Sequence, residues 1–217
     1  MEKLKYDVVL FDLDGTLTDS IEGIVNAVCF ACRRLGLRIP TQDELLEFIG
    51  PPMTLSFSTH FGLKGETLEK AIDYYHEYYT EKGWAENKLI DGIVPMLENL
   101  KAKGKKMALC TNKPEHYAKQ IMELFDIAKY MDFIGGSSAE ADRMVKWKVI
   151  QYTVDMLGVD KSETVMVGDR HYDVEGAQTV GIKTIGVTFV GYGSKEELEN
   201  AGAIAVVNTP QELSELF

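Results

Sequence analysis

The sequence predicts an α/β protein built on a doubly wound parallel sheet, with an all-helical domain inserted after the first strand. Three observations predict this fold class. A continuous apolar run at residues 8–11 has the pattern of a strand buried on both faces. Residues 19–84 carry helical signals, and from Ile90 onward strand and helix patterns alternate regularly. Such alternation implies right-handed crossovers between parallel strands.

Two acidic residues, Asp12 and Asp14, follow the first strand, and Gly15 comes directly after them. Ligands of open α/β sheets bind beyond the carboxyl ends of the strands, which is where these carboxylates lie. Two carboxylates beside an apolar strand repel each other strongly at a low effective dielectric, and a bound cation relieves that repulsion. The alternative interpretation is a polar turn that merely closes the strand.

The inserted domain is predicted from residues that favour helix starts and stops. Asp19 or Ser20 can cap a first helix, which runs to about residue 35 and stops at Gly36. Further helices are predicted at residues 43–49, 54–61 and 67–82. No strand is expected among them. Because the insertion follows the acidic pair directly, it is placed to cap the site.

This change of pattern gives the domain boundaries: an α/β core domain at residues 1–18 and 85–217, and a helical cap domain at residues 19–84. In the core, each further strand is followed by a helix. These strands are predicted at residues 106–110, 132–134, 164–167, 184–187 and 203–207. The core helices are predicted at residues 95–104, 114–125, 146–157, 173–180, 194–201 and 211–216.

Polar residues follow two further predicted strands. Thr111 and Asn112 come after one strand, Asp169 after another, and Asp173 lies one helical turn beyond Asp169. Parallel strands bring all of them to the same edge of the sheet as Asp12. Carboxylate oxygens are the ligands that Mg²⁺ prefers, so Asp12 and Asp169 predict a magnesium site. Asp173 binds the metal or orients a metal-bound water, or it is simply favoured near the helix dipole.

Composition and charge exclude several classes of function. The 217 residues carry a net charge of −11, which argues against nucleic-acid binding. No apolar run approaches the length of a membrane span, so we expect no membrane association. The first strand begins too close to Met1 to leave room for a signal peptide, and a cytoplasmic location is expected. The same net charge repels anions, so an anionic ligand such as a phosphate would need local positive charge from a metal and a few Lys or Arg side chains.

A C-x-x-C motif is formed by Cys29 and Cys32. Both lie on the apolar stripe of the first predicted helix, away from the helix N-terminus that lowers a thiol pKa. We therefore predict that both are small core residues. A redox or metal site is the alternative.

Four tyrosines, Tyr74, Tyr75, Tyr78 and Tyr79, carry more aromatic surface than one helix face buries. Some of them contact a second subunit, or all pack within the cap domain. The chain is accordingly expected to be a monomer or a homodimer.

Several strings resemble motifs of the haloacid dehalogenase-like (HAD) hydrolase superfamily. The Asp-Leu-Asp-Gly-Thr-Leu string at residues 12–17 resembles its nucleophile motif, and Gly-Asp-x-x-x-Asp at residues 168–173 resembles its acidic metal motif. Thr111 resembles the family's phosphate-binding Ser/Thr, and Lys146 matches its lysine within an Arg-x-x-Lys string that begins at Arg143. These motifs occur in the family's order over nearly the whole chain, so the sequence is identified as a member with a Rossmann-like HAD core.

The resemblance implies a role for each residue. Asp12 would attack phosphorus to form an aspartyl phosphate, and Asp14 would protonate the leaving oxygen and later activate water. Its remaining implications are a Mg²⁺ ion held by Asp12, the Asp14 carbonyl, Asp169 and Asp173, and a phosphoryl group bound by Thr111, Asn112 and Lys146. Three alternatives stay open. Thr111 caps the next helix instead, Lys148 takes the place of Lys146, or Arg143 contacts the substrate.

Narrower similarity concerns the cap domain and the C-terminal part. The helical insertion resembles the cap of the subfamily that holds phosphoglycolate phosphatases, β-phosphoglucomutases and haloacid dehalogenases. Residues 48–52 and 191–198 resemble the branch of phosphoglycolate phosphatases and 5′-nucleotidases. Gly50 and Pro51, in the first of these segments, are expected either to contact the substrate or to form an ordinary turn between helices.

These resemblances imply a Mg²⁺-dependent phosphatase that acts on a small phosphorylated metabolite, of the phosphoglycolate or nucleoside 5′-monophosphate kind. Dehalogenases of the superfamily lack an acid at the position of Asp14, which leaves ester hydrolysis or a phosphomutase. A sugar phosphomutase and a non-catalytic phosphometabolite-binding protein are the alternatives.

Overall fold

The computed structural model describes residues 3–217, so Met1 and Glu2 of the predicted core domain lie outside the described residues. Contacts between residues divide the chain into two units. The first unit is the chain up to Thr18 together with Leu89–Phe217, and the second unit is Asp19–Lys88. The chain returns to the first unit at Leu89, slightly later than the boundary predicted at residue 85.

The first unit is built on a parallel sheet. Its strands are β1 Val8–Phe11, β4 Lys106–Pro114, β5 Phe133–Ser137, β6 Thr164–Gly168, β7 Lys183–Val187 and β8 Ala205–Val207. They are ordered β5-β4-β1-β6-β7-β8, and every adjacent pair is parallel. Strand β1 lies between β4 and β6 and is buried along its whole length, which is why its sequence is continuously apolar.

Helices flank this sheet, as the alternating pattern predicted. In the described residues, the α-helices of both units are α1 Ile21–Leu35, α2 Gln42–Leu46, α3 Met53–Phe61, α4 Gly65–Tyr78, α5 Ile93–Ala102, α6 Glu115–Leu124, α7 Lys146–Leu157, α8 His171–Val180, α9 Lys195–Ala201 and α10 Pro210–Glu215. Helices α7 and α8 pack against the face of the sheet that carries Val8 and Leu10. The predicted α/β fold with a parallel sheet is confirmed.

The second unit contains α1 to α4, and α4 continues into a π-helical turn at Tyr79–Gly83. Helix α1 packs against α4. Of the two predicted capping residues, Ser20 occupies the N-cap position of α1 without a capping hydrogen bond from its side chain, and Oδ1 of Asp19 accepts a hydrogen bond from the Ile21 amide at 3.2 Å. The helix ends at Gly36 in a left-handed conformation, as predicted.

The cysteines and tyrosines of the second unit make internal contacts. Cys29 and Cys32 are buried in α1, and burial raises the pKa of the Cys32 thiol to about 11. Tyr75 and Tyr79 are buried with stacked rings whose centroids lie 5.3 Å apart. The remaining two tyrosines also have partners: the Tyr78 hydroxyl bonds Glu86 at 2.9 Å, and the Arg34 guanidinium lies over the Tyr74 ring.

Several element boundaries differ from the prediction. No strand was predicted within residues 19–84, and only Asp19 of that range lies in one: Thr18–Asp19 (β2) pairs with Lys88–Leu89 (β3) in a two-stranded sheet at the boundary of the insertion. Strand β4 runs on to Pro114, so Thr111 and Asn112 lie within it rather than after it. Helix α8 begins at His171, two residues before the predicted start at Asp173. Among residues 3–217, no helix has both the length and the apolar character needed to cross a membrane.

Candidate active site

Three buried aspartates meet at the carboxyl ends of two neighbouring strands. Asp12 directly follows β1, Asp169 directly follows β6, and Asp173 lies in the first turn of α8. Phe11 pairs with Val167, so β1 and β6 end at nearly the same level. Each aspartate offers a carboxylate oxygen, and these oxygens all lie within 4.8 Å of one another. The three aspartates therefore lie together at one edge of the sheet, as predicted.

Two glycines allow the aspartates to approach so closely. Gly15 has a φ of +84°, and a Cβ atom at its position would lie 2.2 Å from Oδ2 of Asp169. A Cβ at Gly168 would lie 2.2 Å from Cγ of Asp173. Both distances are far shorter than van der Waals contact. Any side chain at position 15 or 168 would displace one of the acidic groups.

Lys146 is buried among these carboxylates. Its Nζ lies 2.7 Å from Oδ1 of Asp12 and 2.6 Å from Oδ1 of Asp173. Burial acts to lower the pKa of Lys146, but the two carboxylates outweigh that effect and raise the pKa, so the ammonium is retained. The rival residue, Lys148, instead pairs with Asp142 on the protein surface. The structure thus brings Lys146 to the cluster, in contact with carboxylates.

The electrostatics of the cluster fit a hard cation. Burial, followed by repulsion from Asp173 and Asp12, raises the pKa of Asp169, and burial raises the pKa of Asp173. Thr16 donates a hydrogen bond to Oδ1 of Asp169 at 3.3 Å, whereas Oδ2 is buried and has no hydrogen-bond partner within residues 3–217. A buried carboxylate oxygen without a donor is costly. An oxygen-only donor set of this kind suits Mg²⁺.

Asp14 forms an ion pair that the sequence analysis missed. Its Oδ2 lies 2.8 Å from Nζ of Lys113, and both side chains are largely buried. Lys113 lies on β4, which neighbours β1, two positions after Thr111, in a stretch where the pairing of β4 with β5 is irregular. Lys113 carries no motif signal, and strand β4 was predicted to end at residue 110, before Lys113 is reached.

The other predicted residues on β4 also lie near its carboxyl end. Thr111 is buried, and its Oγ1 accepts a hydrogen bond from the Lys113 amide at 3.2 Å. Helix α6 has Pro114 as its capping residue, so Thr111 does not cap it. Oδ1 of Asn112 is buried and has no hydrogen-bond partner in the described part of the chain.

The three residues predicted to contact the substrate, Arg143, Gly50 and Pro51, lie in two different units of the chain. Arg143 is held by its own neighbours: Nη2 bonds Glu115 at 3.0 Å, Nε bonds the Gly136 carbonyl at 3.3 Å, and the guanidinium lies over the Tyr152 ring. Gly50 and Pro51 belong to the second unit and lie in the turn between α2 and α3.

Comparisons with known proteins agree with this arrangement. A family model described as haloacid dehalogenase-like hydrolase matches residues 9–187. A 5′-nucleotidase from Pseudomonas aeruginosa is 37% identical over 90% of this chain and 88% of its own length. The tyrosine-protein kinase PtkA from Mycobacterium tuberculosis is 38% identical over 93% of this chain and 68% of its own. The crystal structure of a predicted phosphatase from Clostridium acetobutylicum superposes with a TM-score of 0.92, is 43% identical and covers 98% of both chains.

Proposed function

Because the chain belongs to the haloacid dehalogenase-like hydrolase family and is a phosphatase of that family, we propose that it hydrolyses small phosphate monoesters through a phosphoenzyme on Asp12. The observation that carries the proposal is the buried cluster of Asp12, Asp169 and Asp173, with Asp14 two residues from the nucleophile. The uncatalysed hydrolysis of such esters is extremely slow, so nucleophile, acid–base and cation act together.

Mg²⁺ is the cofactor in this proposal. Asp12, Asp169, Asp173 and the carbonyl of Asp14 would hold it, and the unpaired Oδ2 of Asp169 supports that assignment. When bound, the ion supplies positive charge that offsets the negative charge of the phosphoryl oxygens and of the clustered carboxylates.

In the first half-reaction, a carboxylate oxygen of Asp12 attacks phosphorus and forms a new P–O bond. The bond from phosphorus to the ester oxygen breaks. Asp14, which takes up a proton from solvent before this step while it stays beside Lys113, gives that proton to the ester oxygen so that an alcohol leaves. The Lys146 ammonium, 2.7 Å from Oδ1 of Asp12, orients the nucleophile. The product of this step is an aspartyl phosphate.

In the second half-reaction, water attacks the phosphorus of the aspartyl phosphate. Asp14, now a carboxylate, takes a proton from this water, the P–O bond to Asp12 breaks, and inorganic phosphate leaves. Thr111, Asn112 and Lys146 are proposed to donate hydrogen bonds to the phosphoryl oxygens in both steps. The positive charge of Lys146 also offsets the repulsion that the net charge of −11 exerts on a phosphate ligand.

Phosphoglycolate and nucleoside 5′-monophosphates are the proposed substrate class. The resemblance of residues 48–52 and 191–198 to that branch supports the class, as does the name of the P. aeruginosa relative. Gly50, Pro51 and Arg143 are proposed substrate contacts. We further propose a soluble partner only, a small phosphorylated metabolite, and a cytoplasmic monomer or homodimer that binds neither nucleic acid nor membranes.

Hydrolysis of p-nitrophenyl phosphate with and without Mg²⁺ tests the reaction, with Asp12→Asn as the key variant. Wild-type protein should release nitrophenol only with the metal. The variant should keep its circular-dichroism spectrum but lose turnover and phosphate labelling, because an amide is a poor nucleophile. Turnover by Asp12→Asn at the wild-type rate would show that another group attacks phosphorus.

A panel of phosphate esters, compared by kcat/KM, tests the substrate class. It should include phosphoglycolate, nucleoside monophosphates, sugar phosphates and phosphotyrosine, since one relative is named a tyrosine kinase. Release of inorganic phosphate at the rate of ester loss indicates a phosphatase. Interconversion of sugar phosphates without phosphate release would indicate the phosphomutase instead.

A further inference from the structure

The segment Gly191–Leu198, which the sequence analysis singled out without a chemical role, packs against the acidic cluster. A Cβ atom at Gly193 would lie 1.8 Å from the carbonyl oxygen of Asp169. A Cβ at Gly15 would lie 2.7 Å from Cδ2 of Tyr192. The ring of Tyr192 therefore lies close to Gly15, in the loop that follows Asp14, and the backbone of Gly193 lies close to the carbonyl of Asp169.

Glu197 ties this segment to the start of helix α8. Its Oε1 accepts hydrogen bonds from Nε of Arg170 at 3.0 Å and from the backbone amide of His171 at 2.9 Å, and it lies 2.7 Å from Nδ1 of His171. Burial acts to raise the pKa of Glu197, but its bonds to His171 and Arg170 hold the pKa below the usual value, so the carboxylate stays ionised. Glu197 is itself fixed at the N-terminus of α9, where its amide bonds Oγ of Ser194 at 3.0 Å.

Arg170 and His171 lie between Asp169 and Asp173: Arg170 directly precedes helix α8, and His171 is its first residue. The Arg170 amide also donates to Oδ2 of Asp173 at 3.1 Å. Fixing the backbone at these two positions thus fixes the separation and direction of the carboxylates on either side. Groups that orient metal ligands typically change metal affinity by about 10- to 100-fold when they are lost.

We propose that Glu197 is a positioning residue that holds Asp169 and Asp173 ready for Mg²⁺, and that this is the role of the Gly191–Leu198 segment. The inference rests on the proposed function, since it assigns Glu197 to the metal site of that reaction. Glu197 contacts neither the phosphoryl group nor the nucleophile in this scheme; it acts only through Arg170 and His171.

Titration of Mg²⁺ into the purified full-length protein by calorimetry tests the proposal, with kcat and KM measured beside it. We expect Glu197→Ala to weaken Mg²⁺ binding by about 10- to 100-fold. Its kcat at saturating Mg²⁺ and its KM for p-nitrophenyl phosphate should stay near the wild-type values. Glu197→Gln keeps a carbonyl oxygen for the His171 amide, so it should recover part of the affinity.

Glu196→Ala is the matched control, because Glu196 is exposed on the same helix one position earlier. It should bind Mg²⁺ like the wild type. If Glu197→Ala fails to fold, the Mg²⁺ affinity of Glu197→Gln decides, since its near-identical shape preserves packing. Wild-type affinity in a folded Glu197 variant would overturn the positioning role alone. Absence of Mg²⁺ binding by the wild type would overturn the proposed function and this inference with it.

Discussion

Lys113 buries a second ammonium group in the site, beside the candidate acid–base Asp14. The pair is 2.8 Å apart and almost fully enclosed, so removal of one partner leaves the other charged and unpaired. Removing one partner of a buried pair commonly costs about 3–5 kcal/mol of stability. Lys113 therefore holds the side chain that the mechanism needs in one orientation.

We predict that Lys113→Met lowers kcat by roughly 100-fold, in the range that general acid–base groups contribute, while Lys113→Arg retains more activity. The loss should be greater for an alkyl phosphate than for p-nitrophenyl phosphate, because nitrophenolate leaves without a proton. Steady-state kinetics on both esters measures the difference. An equal loss on the two would show that Lys113 does not act through Asp14.

The cysteine thiols provide a second test at the level of single side chains. Burial raises the pKa of Cys32 to about 11 and that of Cys110 to about 12, and it also raises the pKa of Cys29. Since the thiolate is the reactive form, all three thiols of the folded protein should react slowly with a thiol reagent at pH 8. Unfolding in guanidinium should expose three reactive thiols per chain. Rapid labelling of Cys29 and Cys32 in the folded protein would favour a redox pair.

The same shifts make stability depend on alkaline pH. A thiol whose pKa is higher in the folded state binds its proton more tightly there, so its contribution is complete below the unfolded value of about 9. That contribution is lost as the pH rises through about 11 for Cys32. Urea unfolding at pH 8 and pH 11 should show a lower free energy of unfolding at pH 11, and a smaller decrease in Cys32→Ala.

Residues of the site differ in how readily the sequence reveals them. Asp12, Asp169 and Asp173 could be found because each lies at or just beyond a strand end, where parallel topology decides which groups meet. The contacts of Lys113 and Glu197 could not be predicted from the sequence, because they depend on how far a long side chain reaches toward a residue distant in sequence. Their roles follow only from coordinates.

Helices and long strands were predicted well because apolar periodicity marks them, whereas short or polar segments carry no such signal. Strands β2 and β3 have two residues each, too few for any alternation to appear. The extension of β4 through Asn112 and Lys113 is polar, and Lys113 pairs there with Asp14. Helix α8 starts early because Oδ2 of Asp173 accepts from the Arg170 amide and supports the first turn.

The loop before α9 offers a matched pair of glycines for a prediction about packing. Gly193→Ala should destabilise the protein by about 1–3 kcal/mol and weaken Mg²⁺ binding, because the new methyl group overlaps the Asp169 carbonyl. Gly191 has a φ of +77° and no atom within 4 Å of a built Cβ, so Gly191→Ala carries only backbone strain. Thermal unfolding and Mg²⁺ titration of both variants make the comparison. Equal Mg²⁺ affinities would show that the loop does not position Asp169.

At the scale of the whole molecule, the negative net charge of the chain repels the phosphate ester that is its proposed ligand. The net charge is −11, while the candidate site gathers Lys113 and Lys146 among its carboxylates and is proposed to add a divalent ion. A phosphate dianion approaching from solvent meets the field of the entire chain before it meets these cations. Long-range repulsion and local attraction therefore have opposite signs.

Ionic strength separates the two effects. Salt at 0.15 M shortens the screening length to about 8 Å from about 30 Å at 0.01 M, so it weakens the distant charges most and the enclosed cations least. At saturating Mg²⁺, we predict that KM for a phosphate dianion falls and kcat/KM rises as KCl is added, by no more than about tenfold, with kcat unchanged. Potassium chloride titrations of steady-state kinetics on phosphoglycolate, controlled by Mg²⁺ saturation at each salt concentration, measure the trend. A decrease in kcat/KM with salt would mean that the cations around Asp12 already dominate the field along the approach of the substrate.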